Sequence, residues 1–241
     1  MRLYFIRHGQ SENNALWDET GSNKGRSVDP ELTAAGHEQA QLLADFIQRK
    51  DMEARLDGKN GEPRRDYFGF THLYSSLMVR AVATGAHLAD TLHIPLRAWM
   101  EIHECGGIFE EGEDEGENIG LPGRPRSYFE SHYQHLVLPE RVTEAGWWNK
   151  PFEAYESRPL RAQQVIEMLL ERHGNTDDRV AIVSHGGFYM ELMRVLFKIG
   201  EERCWFRMAN TAVSRFDFHE DGEVTLVYHN RTDHLPEWLV T

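Results

Sequence analysis

Two apolar segments of the chain end in the same way, and this pairing constrains the fold more than any other feature. Residues 2–6, RLYFI, run directly into Arg7 and His8, and residues 179–184, RVAIVS, run into His185. Apolar runs of this kind are typical of buried strands. Ligands of open α/β sheets bind beyond the carboxyl ends of the strands, so we expect both histidines at one functional edge.

Helical patterns alternate with these strands along the chain. Apolar side chains recur at helical spacing in four segments, the first with Thr33 as a predicted cap: residues 33–47, 79–86, 162–170 and 188–199. Strands that alternate with helices predict a three-layer α/β/α fold with a mostly parallel central sheet. The pattern around Asp221-Gly222 is that of a hairpin and predicts one antiparallel edge strand. We interpret residues 1–241 as a single domain.

Three segments rich in glycine, proline and charge interrupt the alternation, at about 15–29, 51–70 and 105–150. They are too long for simple connections, so we interpret them as insertions and expect the longest to form an inserted cap region over the site. Within it, EEGEDEGE at 110–117 is interpreted as a solvated loop. The alternative is a lid that repels highly anionic substrates or binds an amine.

The composition excludes several classes of protein. A formal net charge of −13 argues against nucleic acid and membrane surfaces as partners, because both require clustered cationic side chains. No run approaches the roughly 20 apolar residues of a membrane span, and the first residues have no targeting pattern, so we expect a cytoplasmic protein. Cys105 and Cys204 are too few for a disulfide framework. An acidic chain that binds an anion must concentrate positive charge locally.

The residues around the two histidines narrow the chemistry. A histidine at a strand end can be a metal ligand, a general base, a nucleophile or a packed core residue. Neither His8 nor His185 has carboxylates or cysteines close by at metal-ligand spacing, so we expect no metal. The neighbours are arginine, asparagine and serine, which suit a tetrahedral oxyanion.

Five ordered blocks resemble the histidine phosphatase superfamily, also called phosphoglycerate mutase-like. They are RHGQSENN, DPELTAAGHEQA, YSSLMVRAVAT, IHECGG and VSHGG, and they extend from residue 2 to about residue 199. The resemblance implies a phosphomonoester hydrolase that needs neither a metal nor another cofactor. Its expected partner is a small phosphorylated metabolite.

The resemblance also implies roles for individual residues. His8 is the expected nucleophile, which takes the phosphoryl group as a phosphohistidine. Glu104 is the expected proton donor and later the base. The phosphate oxygens are expected to be bound by Arg7, Asn14, Arg80 and His185.

The sequence departs from the family pattern in ways that leave alternatives open. Cys105 and Gly106 follow the acid where an aromatic residue and a glycine are usual, and Glu101 is a second candidate for the acid, although we favour Glu104. The Glu-Arg-x-Tyr-Gly run of the mutases is absent, which favours hydrolysis over a phosphoglycerate mutase. A catalytically weak regulatory module is a further alternative, and a homodimer stays open.

Other residues carry weaker signals. Arg124 and Arg126 are candidates for a second anionic group of the substrate, with ordinary surface charge as the alternative. Trp147–Trp148 are predicted to pack in the core rather than to line the pocket. Residues 156–157 are predicted to cap a helix. His234 is predicted to be exposed, unless the tail reaches the site, and no other histidine has companions in the sequence that suggest a role.

Overall fold

The computed structural model describes residues 1–56, 67–112, 117–200 and 204–241. The described strands are β1 Arg2–Arg7, β2 His72–Ser75, β3 Leu96–Ala98, β4 Phe109–Glu110, β5 Ile119–Gly120, β6 Leu136–Val137, β7 Arg179–Ser184, β8 Val213–Phe218 and β9 Val224–Arg231. The α-helices are α1 Glu12–Thr20, α2 Ala34–Leu56, α3 Val79–Leu92, α4 Arg126–His132, α5 Ser157–His173 and α6 Gly186–Phe197. Short 3-10 helices cover Met100–Ile102 and Glu237–Leu239.

The central sheet has the predicted mostly parallel character. Among the described residues it holds seven strands in the order β6-β3-β2-β7-β1-β8-β9. Strand β7 pairs in parallel with both β1 and β2, and the tail forms the predicted hairpin of β8 and β9. The antiparallel strand is β8, which pairs with β1, and its hairpin partner β9 takes the edge of the sheet.

Alternation along the strands divides the core into two layers and confirms the three-layer fold. In β1, Tyr4 and Ile6 pack in the cluster that α2 and α3 cover, whereas Leu3 and Phe5 pack in the cluster of α5 and α6. Successive side chains of a strand point to opposite faces, so both faces of the sheet are buried. This explains why the apolar run of β1 is nearly continuous.

The three predicted insertions differ in structure. Residues 15–29 continue α1 and then form a loop, residues 51–56 belong to α2, and residues 57–66 lie outside the described part of the chain. The segment 105–150 forms the β4-β5 ribbon and α4, and it also supplies β6, which pairs with β3 at the sheet edge. In the acidic run, residues 113–116 lie outside the described residues. The longest insertion is therefore partly a component of the central sheet.

The loop from Ser11 to Leu32 is closed at its base. Ser11 and Leu32 form an isolated antiparallel bridge, and the Thr33 N–H donates to the Gln10 carbonyl at 2.9 Å. The predicted cap of α2 is present, because the Gly36 N–H donates to Thr33 Oγ1 at 3.0 Å. Gly36 packs against the backbone of Gln10 so closely that a Cβ there would overlap the Gln10 carbonyl. The start of α2 is thus fixed against the residues that follow His8.

No helix among the described residues is both long and apolar enough to cross a membrane.

Candidate active site

Neighbouring strands bring the two predicted histidines together. Arg7 pairs with Ser184 at the carboxyl ends of β1 and β7, so the next residues, His8 and His185, leave adjacent parallel strands at the same level. Their ring centroids lie 5.1 Å apart. Both side chains are buried, His8 with 3% of its surface exposed and His185 with none. The strand-end pattern of the sequence therefore predicted a real contact.

The hydrogen bonds of His8 determine which nitrogen carries its proton. Nδ1 lies 2.7 Å from the Gly9 carbonyl oxygen, which can only accept, so Nδ1 carries the hydrogen. The lone pair is then on Nε2, where Arg80 Nε donates a hydrogen bond at 3.1 Å. Burial, followed by the positive charges of Arg80 and Arg7, lowers the pKa of His8 well below 6.5. His8 is therefore neutral at pH 7, with a lone pair directed at the side chain of Arg80.

His185 has one nitrogen that is bonded and one that has no partner. Nε2 lies 2.9 Å from the Ser76 hydroxyl, on the residue that follows β2. Nδ1 is buried and has no hydrogen-bond partner among the described residues. Buried polar atoms are rarely left unpaired, so this nitrogen suits a ligand atom. Burial and the charge of Arg80 also lower the pKa of His185 well below 6.5.

Two arginines, the buried Arg80 and the half-buried Arg7, supply the positive charge. Arg7 Nη1 donates to the Met208 carbonyl at 2.5 Å, and its Nε is buried without a partner among the described residues. Arg80 belongs to the first turn of α3 and is 9% exposed. Burial lowers the pKa of Arg7 to about 10, against the opposing attraction of Glu104, so both guanidinium groups are charged at pH 7. They concentrate the positive field that an acidic protein needs to bind an anion.

Asp29 stands behind Arg80 and was not singled out from the sequence. Its Oδ1 accepts the Val79 N–H at 3.1 Å and lies 3.9 Å from Arg80 Nη1, while Oδ2 is buried without a partner among the described residues. Burial raises the pKa of Asp29 to about 6, although the charge of Arg80 opposes the shift. Asp29 falls at the end of a segment predicted as an insertion, so no local pattern connected it to Arg80.

Asn14 occupies the third position of α1 and lines the same cavity as His8. Its Oδ1 accepts hydrogen bonds from the backbone and hydroxyl of Ser11, at 3.1 and 3.0 Å, and from Asn210 Nδ2 at 3.3 Å. Asn210 Nδ2 also lies 2.9 Å from the His8 carbonyl. Because its oxygen is occupied, Asn14 has its amide NH2 available as a donor.

The structure distinguishes the two candidate acids. Glu104 Oε1 accepts backbone N–H groups of Cys105 at 2.8 Å and Phe188 at 2.9 Å, and Oε2 accepts that of Gly187 at 3.2 Å. Glu104 thus sits at the N-terminus of α6, beside His185, and lines the cavity. Glu101 does not line it and pairs with Arg141 at 2.8 Å. A Cβ at Gly187 would overlap Glu104 Oε1, so the glycine leaves room for this carboxylate.

An open cavity of about 470 Å³ is lined by five of the predicted residues, Arg7, His8, Asn14, Arg80 and Glu104, whereas the fully buried His185 does not line it. Besides the predicted residues, it is lined by aromatic and cationic side chains: Trp17, Arg26, Phe109, Trp205, Phe206 and Arg207. Arg26 lies over the Phe109 ring at 4.6 Å and pairs with Glu111 at 3.1 Å. The cavity therefore has a polar floor suited to phosphate and a wall with aromatic and cationic groups.

Several other sequence candidates lie away from this cavity. Arg124 is 3.8 Å from Glu31, and Arg126 donates to Glu130 and to two backbone carbonyls. Neither arginine lines the cavity. His234 was predicted to be exposed, but it is buried, and its Nε2 lies 3.0 Å from the Thr211 hydroxyl.

The predicted packing and capping residues also have definite positions. Trp147 and Trp148 are 2% and 4% exposed and pack in the core, as predicted. The capping role predicted for residues 156–157 is wrong. Glu156 occupies the N-cap position of α5 but its side chain makes no capping hydrogen bond, and the Ser157 hydroxyl donates to the Ala154 carbonyl at 2.7 Å instead.

Comparisons with known proteins find relatives that are named as phosphatases. A relative from Hydrogenobacter thermophilus named putative phosphoserine phosphatase 2 is 27% identical over 97% of each chain. Phosphoserine phosphatase 1 from the same organism is 24% identical over 100% of this chain and 97% of its own.

Solved structures share the fold. A phosphoserine phosphatase from Entamoeba histolytica, in complex with 3-phosphoglyceric acid, matches with a TM-score of 0.57 and 21% identity over 98% of this chain and 99% of its own. A putative alpha-ribazole-5'-P phosphatase from Escherichia coli matches with a TM-score of 0.62 and 22% identity over 96% and 97%. The family model of the histidine phosphatase superfamily (branch 1) matches residues 3–56 and 62–231, which confirms the resemblance, and the chain belongs to this superfamily.

Proposed function

We propose that this protein is a metal-independent phosphomonoester hydrolase that acts through a phosphohistidine on His8. The observation that carries the proposal is the pair of hydrogen bonds on the His8 ring. Nδ1–H donates to the Gly9 carbonyl, and this leaves the lone pair on Nε2, within a pocket that Arg7 and Arg80 make positive. A neutral imidazole whose second nitrogen is held in this way is a competent nucleophile.

In the first step, His8 Nε2 attacks phosphorus, the new N–P bond forms, and the ester P–O bond breaks. Charge spreads over three equatorial oxygens during the transfer. Arg80, whose Nε now donates to His8 Nε2, exchanges this bond for one to a phosphate oxygen. Arg7 Nε and His185 Nδ1, both buried without a partner among the described residues, offer further contacts. Donors fixed in this way stabilise the transition state more than the ground state.

Glu104 transfers the protons in both steps. Its Oε1 accepts two backbone N–H groups, whereas Oε2 accepts one at 3.2 Å and retains a lone pair. In the first step a protonated Glu104 donates its proton to the departing ester oxygen. In the second step the carboxylate removes a proton from water, the water oxygen attacks phosphorus, and the N–P bond breaks to release inorganic phosphate and neutral His8.

The residues of the cavity wall favour one class of small phosphorylated metabolite, in which the leaving group carries its own negative charge. Arg207 lines the cavity and has no ion-pair partner among the described residues, and Arg26 lines it as well. Cationic groups that are additional to the phosphate pocket favour a leaving group with its own anionic group, such as a carboxylate. Phosphoserine, which appears in the names of two relatives, has one.

The nucleophile is tested with His8→Ala and a generic aryl phosphate. We expect a loss of turnover of about 10³-fold or more, and wild-type protein quenched in base should carry phosphate on one histidine. His135→Ala, which changes an exposed histidine outside the cavity, serves as the control. Hydrolysis that survives in His8→Ala would remove His8 from this role.

The substrate class is tested with two substrates that differ by one group. Phosphoserine and phosphoethanolamine differ only in the carboxylate, so Arg207→Ala should raise KM about fivefold for the first and leave the second unchanged, as the loss of an exposed ion pair of about 1 kcal/mol predicts. Equal effects on both substrates would contradict carboxylate recognition by Arg207.

The same assays separate hydrolysis from the alternatives. A phosphoglycerate mutase would isomerise a monophosphate without net phosphate release, and a regulatory module would bind phosphate without turnover. Intact Arg7, His8, Arg80 and His185 favour an enzyme over a module. A cytoplasmic location and a homodimer stay predictions, for which cell fractionation and light scattering are the direct measurements.

A further inference from the structure

Two histidines and an aspartate from three elements meet at the opposite end of the sheet from His8. His72 begins β2, His173 is the last residue of α5, and Asp178 directly precedes β7. One potential ligand atom from each lies within 4.8 Å of the other two. Strand β2 spans four residues, about 13 Å, before the chain reaches Ser76 beside His185. The cluster is therefore separate from the candidate active site.

The Asp178 carboxylate lies close to the Nδ1 atom of each ring. Its Oδ2 is 2.8 Å from His173 Nδ1, and its Oδ1 is 3.8 Å from His72 Nδ1. The ring centroids of the two histidines are 4.5 Å apart. The Thr71 hydroxyl lies 2.9 Å from His72 Nδ1 and 3.4 Å from Asp178 Oδ1. Two imidazole nitrogens and a carboxylate thus converge on one small volume.

The other nitrogen of the His173 ring contacts a tyrosine hydroxyl. His173 is 3% exposed, and its Nε2 lies 3.1 Å from the hydroxyl of Tyr74, which is itself buried. Histidines that bind metal usually donate their other N–H to an oxygen, which fixes the ring and the tautomer. With Nδ1 on a metal, the Nε2–H of His173 would donate to Tyr74 in this way.

We propose that His72, His173 and Asp178 bind one Zn²⁺ ion, with water in the fourth position. Two imidazoles and a carboxylate are a donor set that tetrahedral zinc accepts. Ligand atoms on one such ion, each about 2.1 Å from it, lie about 3.4 Å apart. The widest separation, within 4.8 Å, must therefore shrink by up to about 1.4 Å. The His72 side chain, with 34% of its surface exposed, has room to rotate. A neutral His173 that now donates its Nδ1–H to Asp178 must change tautomer as the metal binds: the proton on Nδ1 is lost to solvent and Nε2 takes one up.

The ion would fasten the end of α5 to the starts of β2 and β7. A ligand that binds only the folded state stabilises it by mass action. At about 100 times the dissociation constant, we expect Tm to rise by about 5–10 °C for a chain of this size. The ion would lie far from His8, so turnover at 25 °C should not change.

Calorimetric titration with ZnCl₂ tests the site, using the full chain after treatment with a chelator and dialysis. Wild-type protein should bind one ion, and its Tm should rise. His72→Ala and Asp178→Asn should weaken binding at least tenfold, since the asparagine side chain keeps a carbonyl that accepts from His173 but loses the charge. The double variant His37→Ala/His87→Ala removes a surface histidine pair, 3.1 Å apart, and should bind as the wild type does.

Three results would overturn the proposal: no binding by wild-type protein, undiminished binding by Asp178→Asn, or loss of binding in the His37/His87 variant. If His72→Ala does not fold, Asp178→Asn decides the question. The readouts are heat and Tm, so they do not depend on phosphatase activity.

Discussion

The buried carboxylate of Asp29 should oppose folding while it supports catalysis. Asp29→Asn preserves the shape of the side chain, and its Oδ1 can still accept the Val79 N–H. The change removes the negative charge 3.9 Å from Arg80 Nη1. We therefore expect a variant that is more stable at pH 7 and less active.

The expected stability follows from the pKa of Asp29. Burial raises it to about 6 from 3.8, so between about pH 4 and pH 6 the folded protein holds a proton that the unfolded chain has lost. The free energy of unfolding therefore falls as pH rises through this window. Above pH 6 the free energy of unfolding is lower by the full equivalent of the pKa shift, about 3 kcal/mol. Only 5% of the side chain is exposed, so solvent screens little of it. Asp29→Asn should be more stable by up to about this amount, or about 6–12 °C in Tm.

Urea denaturation from pH 4.5 to 7.5 measures this directly, with Asp45→Asn on the exposed face of α2 as the control. The stability gain of Asp29→Asn over wild type should grow between pH 4.5 and about 6 and then level off. Turnover should fall about tenfold if the loosened Arg80 loses about 1.4 kcal/mol of transition-state stabilisation. A variant that is less stable at pH 7, or a gain that does not change with pH, would refute the reasoning.

Further predictions concern the acid, the nucleophile, the metal and the core. Glu104→Gln should slow turnover by about 10²-fold or more, whereas Glu101→Gln should change it less than twofold; the reverse order would move the acid. Because burial and the neighbouring arginines hold the pKa of His8 well below 6.5, protonation of His8 should not lower kcat/KM as the pH falls through 6.5. Any inflection of the profile near pH 6 should come from Asp29 and should be absent in Asp29→Asn. A strong chelator should leave kcat unchanged at 25 °C; a fall in kcat would point to metal chemistry. Trp148→Ala should lower the free energy of unfolding by about 3–5 kcal/mol, and a change below 1 kcal/mol by urea denaturation would contradict its core role.

The parts of the site that local sequence carries were predictable. His8 and His185 each follow an apolar run, and the rule that ligands bind beyond parallel strand ends was enough to bring them together. The physical reason is that register between β1 and β7 is fixed by continuous burial on both faces, so the two strand ends align. The Thr33 cap was predictable because capping involves only residues that are close in sequence.

Contacts that depend on the path of a loop or on where a helix ends were not predictable. Asp29 meets Arg80 only because the loop after α1 folds back on the start of α3, and no periodicity encodes that path. His72 and His173 are separated by about a hundred residues and were thought to have no companions. Arg124 was chosen for its charge alone, and the fold directs it to Glu31 instead.

The closed base of the loop from Ser11 to Leu32 has a consequence for protein engineering. Its two ends are fastened to each other, and Gln10 is fastened to the start of α2, so the position of His8 does not depend on the length of the loop between them. Closing a longer loop costs only about 0.6 kcal/mol for each doubling. The stretch between Asn14 and Asp29 can therefore be replaced as a unit, which offers a route to new substrates with the catalytic residues unchanged.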